Sequence, residues 1–128
     1  KSAGVLVFPS VVGGSFVGGG EDGRGALLQH GRSQGYYSLG AGSLGFQIGA
    51  QSKAIIYVFN TSDALQKFLS SEGWVAGVYA TVAVAHIGAN GRIDSETAKQ
   101  PVVGFVMSNA GLEAGVSLQG AKITKTKL

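Results

Sequence analysis

The stretch LGFQIGAQSKAIIYVF, residues 44–59, decides how this chain is read. Leu44, Phe46, Ile48 and Ala50 alternate with Gly45, Gln47, Gly49 and Gln51, a period of two that puts the apolar side chains on one face of an extended strand. The run Ile55-Ile56-Tyr57-Val58 follows, with the β-branched and aromatic content of a strand in a packed sheet. The face opposite the alternating apolar one carries only glycine and glutamine. That suits either close packing of a second backbone layer or a polar interior.

Toward the N-terminus, residues 5–8 form a short apolar run that meets Pro9, where a strand is expected to stop because proline cannot donate to a ladder. Further on, Gly18-Gly19-Gly20-Glu21-Asp22-Gly23 satisfies the dinucleotide pattern G-x-G-x-x-G. A phosphate cradle also needs a helix opening directly after the glycines, and the chain reaches Gly31 too soon for one. Glu21 and Asp22 would moreover repel the anion. The expected reading is a turn over residues 21–24 between antiparallel strands at 16–20 and 25–29. Residues 35–39 begin another strand.

Toward the C-terminus, Asn60, Thr61, Ser62 and Asp63 offer capping side chains before Ala64, Leu65, Phe68 and Leu69, which predicts a helix over residues 62–71 with those four on its core face. Residues 78–87 then read as a strand, Asn90-Gly91 as a tight hairpin turn, residues 93–100 as a polar loop, and residues 102–107 and 114–124 as two more strands. The expected fold is mainly β: an antiparallel barrel or sandwich in one domain, with one or two short helices packed on it, and α+β as the alternative.

Composition supports a folded β domain. The 128 residues include 22 glycines without the triplet period of collagen, and the apolar share is 45% against only 13% charged. There is no cysteine, so disulfides and thiolate chemistry are excluded. No window holds 18 uninterrupted apolar residues, so no helical span is expected. The opening residues, from Lys1, show no signal-peptide pattern.

Catalytic chemistry finds little support. His30 and His86 are the only histidines, neither lies in a motif, and both read as structural, His30 at a strand end. The scattered carboxylates lack the spacing of a metal or calcium site, so no metal or cofactor is expected. Asn60-Thr61-Ser62 matches a glycosylation acceptor, although helix capping already explains it. An enzymatic reading would rest on Gln47, Gln51 and Gln119 facing a cavity, and glutamine is a poor proton acceptor. We expect no enzyme.

The net charge of +3 gathers toward the C-terminus in Lys122, Lys125 and Lys127, with Lys125 and Lys127 alternating onto one side of an extended strand. Arg24, Arg32 and Lys53 fall at expected turns and extend the candidate patch. Lysines near a membrane attract anionic headgroups by about 1 kcal/mol each, so such a patch gives weak, salt-sensitive adhesion. Nucleic acid is a poorer partner, since there is no basic helix and no aromatic stacking platform.

Residues 4–12 (GVLVFPSVV), 35–38 (GYYS), 42–52 (GSLGFQIGAQS) and 109–123 (NAGLEAGVSLQGAKI) resemble the SYLF domain family, over nearly the whole chain. The resemblance implies a membrane-associated module whose eukaryotic members bind phosphoinositides, and in yeast also actin, and whose bacterial members are mostly exported. The Gly13-Gly14-Ser15 and Ala89-Asn90-Gly91 segments look more like the bacterial branch, which makes actin an unexpected partner. Family members carry a lysine near Gly13 and an aromatic near Asp22, both missing here, and eukaryotic members an amphipathic segment upstream of where this chain starts. The resemblance brings no catalytic residue. Residues and resemblance together point to a non-catalytic module that binds an anionic phospholipid surface through the six cations named. Its expected place is the bacterial periplasm or outer-membrane periphery, with the periphery of the cytoplasmic membrane as the alternative. A structural or protein-interaction module of low charge and abundant apolar surface is the rival.

Overall fold

The computed structural model describes residues 3–12, 23–40, 52–85, 91–92, 95–108, 111–112 and 122–126. The strands are β1 (Gly4–Val12), β2 (Gly23–Gln29), β3 (Arg32–Gly40), β4 (Ser52–Phe59), β5 (Gly73–Val75), β6 (Ala83–Val84), β7 (Val102–Ser108), β8 (Gly111–Leu112) and β9 (Lys122–Thr126). Two helices, α1 (Ser62–Ser70) and the single turn α2 (Ser95–Ala98), interrupt them. All the strands join one sheet in the order β5-β9-β3-β2-β1-β4-β7-β6, with β8 folded back on β7. The sheet is antiparallel except where β6 runs parallel to β7. It curls into a half-barrel and does not close, so the expected mainly β class holds while full barrel closure does not.

Alternation decides which side chains line the concave face. Leu6 and Phe8 of β1, Leu27 of β2, Leu39 of β3, Ile55, Tyr57 and Phe59 of β4 and Val106 of β7 are all fully buried. Trp74 of β5, the edge strand, packs among them, its ring edge-on to Tyr57 at 6.1 Å, Phe59 at 5.9 Å and Phe68 at 5.6 Å, spacings at which aromatic edges meet faces favourably. Gly25 lets β2 approach β1 closely: a Cβ there would lie 2.2 Å from the Val7 carbonyl oxygen. The opposite face of the central strands is apolar too, with Val5, Val7, Leu28, Ile56, Val58 and Phe105 half-buried rather than replaced by polar residues.

Helix α1 seals one end of the concavity. Thr61 is its N-cap, its Oγ1 accepting from the Ala64 amide at 3.0 Å, and Asp63 in the first turn complements the positive end of the helix dipole. Ala64, Leu65 and Phe68 are buried, and Phe68 packs 4.9 Å from both Tyr37 and Phe59. Leu69, expected on that face, is 40% exposed in the last turn of the helix. Asn60 does not cap. Its Nδ2 donates to the carbonyls of Ala98 (3.0 Å) and Gln100 (2.7 Å), tying the start of α1 to the segment before β7. The nitrogen that a glycan would occupy is thus engaged, which supports the structural reading of Asn60.

Several expectations are corrected. β1 continues through Pro9 to Val12, and its register with β4 shifts between Phe8 and Val11, so the proline sits in an irregularity where no ladder donor is required. Gly23 and Arg24 belong to β2 rather than to a turn. Since a strand and not a helix follows Gly23, the glycine pattern lacks the element that would hold a pyrophosphate. Of the strand expected over residues 78–87, the described residues 78–85 hold only β6, preceded by a turn. β6 and β7 run parallel, so no tight hairpin joins those two strands; α2 lies between them, and Gly91 takes φ 78°. His30 lies in the β2–β3 turn, where His30 (φ 56°) and Gly31 (φ 79°) give the left-handed pair of a two-residue hairpin. The expected strand at 16–20, the alternating residues 44–51 and the glutamines Gln47, Gln51 and Gln119 lie outside the described residues, as do His86 and Asn90.

Candidate functional site

Register shows which cations the fold brings together. At one end of the sheet Lys122 is opposite both Gly40 and Val75, Arg24 is opposite Ser38 on the next strand but one, and Lys53 is opposite Val11 near the end of β1. Strands β2 and β9 flank β3, so the Cα atoms of Arg24 and Lys122 lie roughly 12 Å apart from strand spacing and rise alone. Arg24 and Lys53 were expected at turns; both are strand residues. Arg32 is at the opposite end, paired with Gln29 across the His30–Gly31 turn. Lys125 sits opposite Tyr37, further along β9. Lys127 lies outside the described residues, as do Glu21 and Asp22, which precede β2.

The two lysines of β9 with described side chains diverge. Three residues apart on a strand, they project to opposite faces. Lys122 leaves the convex side, its Cε 3.0 Å from where a Cβ of Gly73 would stand, so that glycine makes room for the lysine stem. Lys125 shares the face of buried Ile123 and passes over Gly35, where a Cβ would lie 3.9 Å from both the lysine Cε and the Tyr37 hydroxyl. Both lysines are exposed. The two described lysines of β9 therefore do not form one patch; Lys122 shares its sheet end, in backbone position, with Arg24 and Lys53, while Lys125 and Arg32 stand apart.

A turn adjoins Lys122 that the sequence reading missed. After β5, the amides of Val78 and Tyr79 donate to the Val75 carbonyl at 3.2 and 3.1 Å, and the Gly77 amide donates to Ala80 at 2.7 Å. Gly77 takes φ 85°, the left-handed conformation that lets the chain reverse. Val78 is 72% and Tyr79 53% exposed, although the flanking Ala76 and Val82 are buried in the core. The signal available in the sequence was Gly77 itself, interrupting the apolar run of residues 74–80.

Two buried hydroxyls, those of Tyr57 and Ser38, have no hydrogen-bond partner. Burial raises the Tyr57 phenol above its ordinary pKa of 10.0, and burial raises Tyr37 as well. Among the described residues no group of three or more His, Asp or Glu side chains is placed to hold a metal ion, and no helix is long and apolar enough to cross a membrane. His30 is exposed at its hairpin.

Comparison with known proteins adds one relationship. No curated protein sequence matches the chain. The family described as Las17-binding protein actin regulator, Ysc84, matches residues 40–127, from the end of β3 past β9. That match covers well over half of the chain and contains α1, the exposed turn and Lys122. The chain belongs to the Ysc84 family, whose domain is the SYLF domain.

Proposed function

We propose that this protein is a non-catalytic module that adheres to anionic phospholipid surfaces, in a bacterial envelope. The observation that carries the reading is the sharing of one sheet end by Lys122, Arg24 and Lys53, with the Lys122 side chain exposed there. At about 1 kcal/mol per cation near an anionic surface, three give adhesion that is weak at physiological salt and stronger below it. Family membership supports the same reading, since the SYLF resemblance implies membrane association. The bacterial setting rests on the likeness of the Gly13-Gly14-Ser15 and Ala89-Asn90-Gly91 segments to that branch. Co-sedimentation at low salt with phosphatidylcholine vesicles, with and without phosphatidylglycerol, tests it. Retention on the anionic vesicles alone is expected, and retention on neither removes the reading.

The half-buried apolar convex face favours a second reading, a protein-interaction module, for which the family description suggests a cytoskeletal partner such as actin. Co-sedimentation with actin filaments, together with light scattering to detect self-association, separates it from the first. Filament binding without vesicle binding would reverse the order of the two.

A further inference from the structure

The exposed turn at residues 77–80 presents the two most exposed large apolar side chains among the described residues, and it does so beside the cationic end of the sheet. We propose that this turn is a membrane-insertion tip: Val78 and Tyr79 enter the boundary between headgroups and acyl chains of an anionic bilayer while Lys122 stays among the phosphates. The inference rests on the lipid-surface reading above and adds to it the element that penetrates.

Four features favour a bilayer as the occupant. Ala76 and Val82 are held in the core on either side, so the turn is a braced projection of the fold. The amides of Gly77, Val78 and Tyr79 donate within the turn, so carrying this backbone out of water leaves none of these donors unpaired. A tyrosine beside an aliphatic residue suits the interface, where the ring is buried and the hydroxyl stays wet. A protruding pair of side chains is also far smaller than the roughly 800 Å² per partner of a stable protein interface.

Charge complementarity adds to these. The backbone of Lys122 is opposite Val75, whose carbonyl closes the turn, and its side chain runs along β5 over Gly73. Electrostatics draws the sheet end to the surface, and the tip supplies a component that salt does not screen.

The test uses the full chain and vesicles of phosphatidylcholine with phosphatidylglycerol. The double variant Val78→Ser with Tyr79→Ser should partition roughly tenfold more weakly, with thermal unfolding unchanged because both side chains are exposed. The variant Tyr79→Trp should show a blue shift on binding and quenching by lipids brominated in the upper acyl chain, against the constant background of buried Trp74. If the wild-type chain binds but the double variant binds equally, or the Tyr79→Trp emission stays unshifted and unquenched, the tip is overturned and the surface reading stands. If the wild-type chain binds neither vesicle type, both fall. Self-association of the wild-type chain that the double variant abolishes, without a change in vesicle binding, would assign the turn to a protein contact and overturn the tip.

Discussion

The concave face of the sheet and the turn at residues 77–80 are built from the same residue classes and meet opposite fates. Trp74, at the edge of the concavity, is 1% exposed; Val78, four residues on, is 72% exposed. The first is explained by folding alone, because the curl of the sheet and the stripe of α1 enclose the aromatic cluster. The second gains nothing from the fold, since removing water from Val78 and Tyr79 requires something outside the molecule. Apolar residues that the chain could bury and does not are where a search for function should begin.

Substitutions break this contrast on the core side first. Trp74→Ala removes a ring that touches Tyr57, Phe59 and Phe68, and denaturant unfolding should show a loss of about 3–5 kcal/mol. Gly25→Ala puts a methyl against the Val7 carbonyl and forces β1 and β2 apart, for a loss of about 1–3 kcal/mol or more, read as a lower denaturation midpoint. Thr61→Ala deletes the acceptor of the Ala64 amide and should cost about 1 kcal/mol in the same measurement.

Smaller effects sharpen the contrast. Tyr57→Phe removes a buried hydroxyl that has no partner, so stability at neutral pH should stay within about 1 kcal/mol of wild type or rise. Its effect is on alkaline behaviour. The folded protein keeps the phenol neutral above the pH at which an unfolded tyrosine ionises, so wild-type stability is complete below about pH 10 and falls above it. The variant should lose most of that alkaline slope and keep the part due to Tyr37. Val78→Ser should change stability least, by under about 0.5 kcal/mol, because the side chain packs little within the molecule.

Local signals carried much of the fold. The capping residues and the apolar stripe located α1 to within a residue at its C-terminal end, and β-branched runs located β4 and β7, because each of these elements is decided by its own neighbours. What failed depends on partners distant in sequence. Pro9 is tolerated because β4 meets β1 out of register there. The parallel pairing of β6 with β7, which excludes a tight hairpin joining those two strands, is set by where the chain returns to the sheet. The alternation expected for residues 78–87 gave way to three backbone hydrogen bonds around Gly77.

The candidate site was legible only in part for the same reason. Six cations could be named from composition, yet their grouping depends on register. Arg24 and Lys122 are 98 positions apart in sequence and flank the same strand, whereas Lys122 and Lys125 are three apart and face opposite sides. A curled sheet gathers strand ends, so nearness along the chain is a poor guide to which charges act together.

On the proposed reading, one end of the half-barrel meets the lipid surface. Amide hydrogen exchange of the wild-type chain, with and without anionic vesicles, tests this directly. Slower exchange is predicted at residues 75–80 and at Lys122 and Ile123, with no change at the β2–β3 hairpin around His30 and Gly31. Protection confined to that hairpin and α1, or a uniform absence of protection on vesicles that retain the protein, would contradict it.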